Sequence, residues 1–303
     1  MEQLLVIGER VVIFSVLVSA LYALVALGFT MIFGVGRVLN LAHGAFLMVG
    51  AYTAWFAQRA GVDLYLAAAL AVLVCTLLAV ALYQGLIRHV QHSVIITLIA
   101  TLACALLLEE IIKIFFTTTP QILQPFISGS IVLHQTTIIS NRVLAFVASW
   151  VAIVLFWLFV HRTRWGKVIL ATAQDQEGAA LVGINVRHVY TVTWALSGAL
   201  AGLAGVFFAS WVNLSPFMWR DPLIISFAIV VVGGLGSLKG SIIAAYLIGF
   251  LEVLMTYSPS IKFCADYRCF EFLGASWVGV PSLIMLVLIL FLKPSGLFGR
   301  AHE

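Results

Sequence analysis

Long apolar runs, cut by short polar or glycine-rich breaks, fill most of this chain of 303 residues. No Asp, Glu, Lys or Arg lies between Arg10 and Arg37, Arg37 and Arg59, Asp63 and Arg88, Arg88 and Glu109, Arg142 and Arg162, or Glu271 and Lys293. Most of these intervals reach the ~20 apolar residues that a helix needs to cross a bilayer. They are continuously apolar rather than alternating, which predicts helices and not the strands of an outer-membrane barrel.

Taken in order, spans are expected over 11–36, 64–87, 93–115, 143–161, 191–212 and 277–292, with shorter apolar pieces over 44–57, 223–238 and 240–257. Residues 116–141, with Thr117-Thr118-Thr119-Pro120 and Pro125, are too polar and Pro-broken for a lipid-facing helix and read as a long loop. A second loop covers 258–276. The expected architecture is an all-α polytopic membrane protein, a single domain over 1–303, with eight to nine transmembrane or half-membrane helices. The first run is long and follows Glu2 and Glu9 rather than a basic leader, so it is expected to stay in the mature protein.

Composition agrees: 63% of residues are hydrophobic and 9% charged, against roughly 25% charged in a soluble domain. The net charge of +4 comes from basic residues scattered between spans, which excludes a nucleic-acid footprint and leaves lipid as the surrounding medium. The most basic stretch, Arg162, Arg164, Lys167 and Arg187, is expected in the cytoplasm by the positive-inside rule. Counting spans from it puts 116–141 and 258–276 outside and the C-terminus inside. If 44–57 crosses, the N-terminus lies outside.

Two breaks stand out. The first runs from Gly34 to Phe46 and carries Gly36, Asn40, His43 and Gly44; the second is Gly233-Gly234-Leu235-Gly236-Ser237-Leu238-Lys239-Gly240-Ser241. Each lies between apolar runs, so 11–57 and 223–257 form either an internal repeat, the sequence pointer to a transport pathway, or a coincidence of common membrane glycines. Asn40 and His43 are three residues apart and would share a helix face. They either line a pathway or hold packed helices together, and the second role is the favoured one.

The cytoplasmic segment 162–190 contains a short helical pattern with Asp175 and Glu177 in its first turn and Gly183 as its stop. Ala180, Leu181 and Ile184 give it an apolar stripe for a partner's groove; otherwise it is an idle surface helix. Glu109 and Glu110 can each pair with Lys113 on one helix face, as an outer-interface ion pair or as a polar contact in the pathway or with a binding protein. Glu252 is similar, and Arg220 with Asp221 belongs to a short outer loop. Cys264 and Cys269 share an outer loop, as a disulfide or as two free thiols. Histidines 43, 89, 92, 134 and 161 show no metal-ligand spacing, and no catalytic constellation or metal site is expected. A passive channel would need a filter motif or a charged ring, and neither occurs.

Four ordered motifs carry a family resemblance: Leu39 to Tyr52, Asp175 to Ile184, Ser197-Gly198-Ala199-Leu200-Ala201-Gly202-Leu203-Ala204-Gly205, and Gly233 to Ser237, followed by the ending Lys293-Pro294-Ser295-Gly296-Leu297-Phe298-Gly299. Together they resemble the branched-chain amino acid family of ABC importer permeases, in its shorter form. The resemblance implies the ABC importer permease fold in the inner membrane of a bacterium or archaeon. It also implies a second permease, two cytoplasmic ATPase subunits that hold ATP and Mg, and an extracytoplasmic binding protein. The chain itself needs no cofactor. It carries no G-x-x-x-x-G-K-[ST], since Leu238 stands where the loop glycine should be. Residues 174–185, with Asp175, Glu177, Ala179, Ala180, Gly183 and Ile184, would be the coupling helix. Gly34, Gly36, Asn40, His43, Gly44, Gly233, Gly234, Gly236 and Ser237 would shape or gate the pathway. The implied substrates are neutral aliphatic amino acids, with urea or short amides as alternatives.

Overall fold

A computed structural model describes the backbone of residues 2–134, 136–257, 261–265, 268–272, 278–293 and 295–299, and the side chains of 6–134, 136–257, 278–293 and 295–299. Its helices are α1 (Glu2–Gly36), α2 (His43–Arg59), α3 (Leu64–Leu82), α4 (Arg88–Val90), α5 (Val94–Phe116), α6 (Ser140–Arg162), α7 (Arg164–Gln174), α8 (Gln176–Leu181), α9 (Val186–Phe208), α10 (Arg220–Gly233), α11 (Leu238–Tyr257) and α12 (Val280–Leu292). A π-helical turn, Tyr83–Ile87, joins α3 to α4.

Among the described residues six helices are long and apolar enough to cross a membrane: α1, α3 with its extension to Val90, α5, α6, α9 and α11. Three shorter apolar helices, α2, α10 and α12, have 17, 14 and 13 residues. The protein is a multi-pass membrane protein, and its helix count agrees with the expected eight to nine.

The most apolar stretches of α1 and α9 are 83% and 67% buried inside the protein, against 22–28% for α3, α5 and α6. The first pair therefore forms the centre of the bundle and the others its lipid-facing wall. Small residues make the centre possible. A Cβ on Gly50 of α2 would sit 2.8 Å from Gly202 Cα of α9, and one on Gly198 would press into the Cys75 carbonyl at 2.5 Å. These are the close backbone approaches that small residues permit between membrane helices.

Three refinements separate the fold from the sequence reading. The loop expected over 116–141 contains an antiparallel hairpin, β1 (Ser130–Leu133) with β2 (Thr136–Ile139), whose second strand alternates buried and exposed side chains. Arg220 and Asp221 open α10 instead of lying in a loop. The 258–276 loop holds a second hairpin, β3 (Ile261–Ala265) with β4 (Arg268–Phe272). Its register sets Cys264 opposite Cys269, but both side chains, and so the disulfide question, lie outside the described residues.

The termini of successive helices sort to two ends of the bundle. One end, the break end, gathers the C-terminus of α1, the N-terminus of α9, helices α7 and α8, and the α10–α11 turn. The opposite end gathers the β1–β2 loop, the N-termini of α6 and α10 and the C-termini of α5, α9 and α11.

Candidate functional site

The two glycine breaks meet. A Cβ on Gly236 would lie 3.2 Å from Gly34 Cα, so the backbones pass in close contact. Thr30 and Ser241 tie the same helices together, hydroxyl to hydroxyl, at 2.7 Å. In the second break Gly234 and Gly236 have φ of 101° and 84°, values that L side chains resist. Ser237 then caps α11 by accepting the Gly240 N–H at 3.1 Å. The chain's ending is woven into this turn: Leu297 N–H donates to Val232 O at 2.8 Å and Phe298 N–H to Gly233 O at 3.1 Å.

The first break is an unwound segment that climbs into the bundle. Residues 37–42 leave α1 after Gly36, and α2 begins at His43, whose Nε2 is 3.0 Å from Val25 O. Val25 lies about three turns (~16 Å) back along α1. Asn40 is therefore not on a helix face shared with His43. It sits in the turn before α2, where its Oδ1 accepts the Ala42 N–H at 3.0 Å and compensates the lost helical bond. Leu41 N–H donates to Thr101 Oγ1 of α5 at 3.2 Å. Arg37 at its start is exposed, but Val38, Asn40 and Ala42 are buried, as non-helical backbone at membrane depth must be.

His43 is fully buried and bridges three helices. Beside its bond to Val25 O on α1, its Nδ1 lies 3.2 Å from Ser197 Oγ on α9. Gly28 makes space for the ring, since a Cβ there would be 2.7 Å from His43 Cε1. Gly44, one residue on, admits the Trp219 carbonyl at the start of α10, 2.6 Å from where its Cβ would stand.

At the break end, helix α8 is short and partly detached. Asp175 caps it, Oδ1 accepting the Glu177 N–H at 3.1 Å, and Gly183 ends it at φ 87°. Ala179 is buried, Ile184 half-buried, and Asp175, Glu177, Ala180, Leu181 and Val182 are exposed. The exposed apolar pair is therefore Leu181 and Val182. Preceding it, α7 lies on the surface after a Thr163 cap and a tight Gly166 turn, in a stretch the sequence reading did not separate as a helix.

Four residues that sequence reasoning missed join these parts. Gln176 Nε2 donates to Val35 O at the end of α1 at 2.7 Å and to Tyr190 Oη at 2.9 Å. The Tyr190 ring stacks on Tyr83 in the π-turn, and Tyr83 stacks on Trp194, each at 5.8 Å. The i, i+4 spacing of Tyr190 and Trp194 on one face of α9 was the available signal.

At the opposite end Glu109 is buried and tightly held. It accepts from Trp219 Nε1 at 2.7 Å and Arg220 Nη2 at 3.0 Å, and pairs with Lys113 at 3.2 Å. The expected pair with Lys113 is present, and α10 closes onto it. Glu252 makes no ion pair among the described residues. Its carboxylate takes the Gly279 N–H at 2.9 Å, the Ser282 N–H at 3.3 Å and the Ser282 hydroxyl, so it caps α12. Among the described residues no three His, Cys, Asp or Glu side chains group as metal ligands.

Comparison with known proteins gives these parts a common setting. The family model described as "Branched-chain amino acid transport system / permease component" matches residues 11–291. The chain is 30% identical over 311 residues to the probable branched-chain amino acid transport permease protein LivH of Methanocaldococcus jannaschii, covering 97% of this chain and 93% of that one. It is 25% identical over 302 residues to the high-affinity branched-chain amino acid transport system permease protein LivH of Escherichia coli K12, covering 94% of each. Over 33% of its length it is 31% identical to the fructose import permease protein FrcC of Rhizobium meliloti. The solved structure of PsaBC from Streptococcus pneumoniae in complex with Fab shares the fold, with a TM-score of 0.52 at 15% identity over 95% of this chain and 94% of that one. With a family model spanning nearly the whole helical bundle, this chain belongs to the permease family of branched-chain amino acid ABC transport systems.

Proposed function

We propose that this chain is the permease subunit of an ATP-driven importer that passes a neutral or branched-chain amino acid across the cytoplasmic membrane. The solute is delivered from outside by a binding protein. A second permease completes the transmembrane unit, and two ATPase subunits with ATP and Mg engage the break end.

The observation that carries this reading is the double hydrogen bond of Gln176, at the start of α8, to Val35 O and Tyr190 Oη. It joins an exposed cytoplasmic handle to the end of the broken helix. Leu181 and Val182, 88% and 76% exposed, project from that handle as the apolar contact for an ATPase groove. The basic residues Arg162, Arg164, Lys167 and Arg187 lie at the same end, which supports its cytoplasmic placement. Movement of α8 would then be passed to Val35 and to the backbone contact of Gly34 with Gly236. The pathway opens or closes through differential contacts in the two states. His43 and Asn40 serve this machinery as supports of the unwound segment, without touching solute.

The test uses the assembled complex in proteoliposomes. ATP hydrolysis is expected to rise on adding leucine-loaded binding protein, and leucine is expected to accumulate. Leu181→Asp, or Glu177→Arg with Gly183→Val, is expected to abolish both responses while the permease still folds. Unchanged uptake and stimulation in all these variants would overturn the coupling assignment.

A further inference from the structure

At the end of the bundle opposite the breaks lies a cavity of about 510 Å³, between α1, α6, α10 and α11 and the segment after α9. Its walls are mostly aromatic and aliphatic, with Val18, Phe208, Met218 and Ile225 among them. Three charged side chains also line it: Arg142, Asp221 and Glu252. Glu252 is committed to the N-terminus of α12. The other two have no ion-pair partner among the described residues, where the ion pairs are those of Lys113 and Arg220 with Glu109 and Glu110.

Arg142 is an unusual cation. It stands in the first turn of α6, half-buried, with its guanidinium 4.4 Å from the Trp211 ring centroid and 5.5 Å from that of Phe14. Among the described residues its buried Nε has no hydrogen-bond partner. Aromatic rings hold a guanidinium in place but accept none of its in-plane N–H bonds, which match a carboxylate bidentately. A partly desolvated cation with an unmet in-plane donor suits a planar anion. Asp221, without an ion-pair partner among the described residues, adds a carboxylate to the same cavity, and the volume falls within the range of small-molecule sites.

We propose that this cavity binds an α-amino acid zwitterion with an apolar side chain, its carboxylate on the Arg142 guanidinium and its ammonium toward Asp221. The side chain lies against the apolar wall. The assignment rests on the importer reading for its direction: this is the outer end, where a binding protein would release its load. The cavity is then the first station inside the permease, and it selects for two opposite charges. A sugar or a short amide can hydrogen-bond to either group but brings neither charge.

The test is equilibrium binding to the purified complex without binding protein, together with uptake in proteoliposomes. The probes are L-leucine, L-leucinamide and 4-methylpentanoate. The native complex is expected to bind leucine about tenfold or more tightly than either analogue, each lacking one charge. Arg142→Gln is expected to weaken leucine binding about ten- to hundredfold and to erase the preference over leucinamide. Asp221→Asn is expected to erase the preference over 4-methylpentanoate. Arg142→Lys keeps the charge but not the fork, and an intermediate loss with native thermal stability rules out misfolding as the cause. Leucine binding that ignores Arg142→Gln, or a native complex that does not distinguish leucine from leucinamide, overturns the proposal. Binding that depends on Arg142 and Asp221 in a complex that imports no leucine upholds this site and overturns the importer reading instead.

Discussion

Gln176 and Val35, far apart in the sequence, are joined by a 2.7 Å hydrogen bond from the side chain of one to the main-chain carbonyl of the other. The carbonyl belongs to the last turn of α1, where helical geometry leaves acceptors unmet. A glutamine in the first turn of α8 therefore finishes a helix in another part of the fold, and any displacement of α8 strains that bond first.

Gln176→Ala removes this bond and the one to Tyr190. Expected is a loss of about 1–2 kcal/mol in unfolding free energy and a several-fold fall in binding-protein-stimulated ATP hydrolysis, with basal hydrolysis unchanged. ATPase assays with and without loaded binding protein check it.

His43→Ala leaves Ser197 without its partner and a ring-sized void between α1, α2 and α9. The expected cost is ~3 kcal/mol, from a cavity plus an orphaned hydroxyl, read as a lower unfolding temperature in detergent. Gly28→Ala is expected to be destabilising as well, because its Cβ would overlap the His43 ring. In the double variant the two losses should be less than additive, since the clash disappears with the ring.

Glu109→Gln and Glu110→Gln should differ sharply although the residues are adjacent. Glu109 is buried and holds Trp219 and Arg220, so neutralising it is expected to cost ~2–3 kcal/mol, discounted for the half-exposed arginine. Glu110 is 62% exposed and its loss should change nothing measurable. Thermal unfolding of both purified variants decides it.

Gly236→Ala places a Cβ on a left-handed residue and 3.2 Å from Gly34 Cα. Strain of ~1 kcal/mol or more is expected from the backbone alone. Uptake should fall further than stability, because the two breaks can no longer slide past each other. Comparing uptake with the melting temperature of the same preparation separates these effects.

The spans were legible because charge is excluded from them, and the breaks because glycine and polar residues interrupt that exclusion. The direction of the unwound segment was not. Nothing in Arg37-Val38-Leu39-Asn40 reveals that it rises to the level of Val25, because contacts that hold it there, Leu41 with Thr101 on α5 and His43 with Ser197 on α9, are distant in sequence. Glu252 was read like Glu109 because both are acids near apolar runs; capping α12 depends on Gly279 and Ser282 folding back over it. The handle at 174–185 was readable from its caps, Asp175 and Gly183, whereas Gln176 carried no local signal.

The unwound segment 37–42 also bears on how the protein is made. Its satisfying groups, Thr101 on α5 and, through His43, Ser197 on α9, are synthesised long after it. A nascent chain holding only α1 and α2 would lack the partners of the Leu41 N–H and of His43 Nδ1, keeping the imidazole's bond to Val25 O. The first break therefore reaches its full bonding only once α5 and α9 have packed against the first two helices.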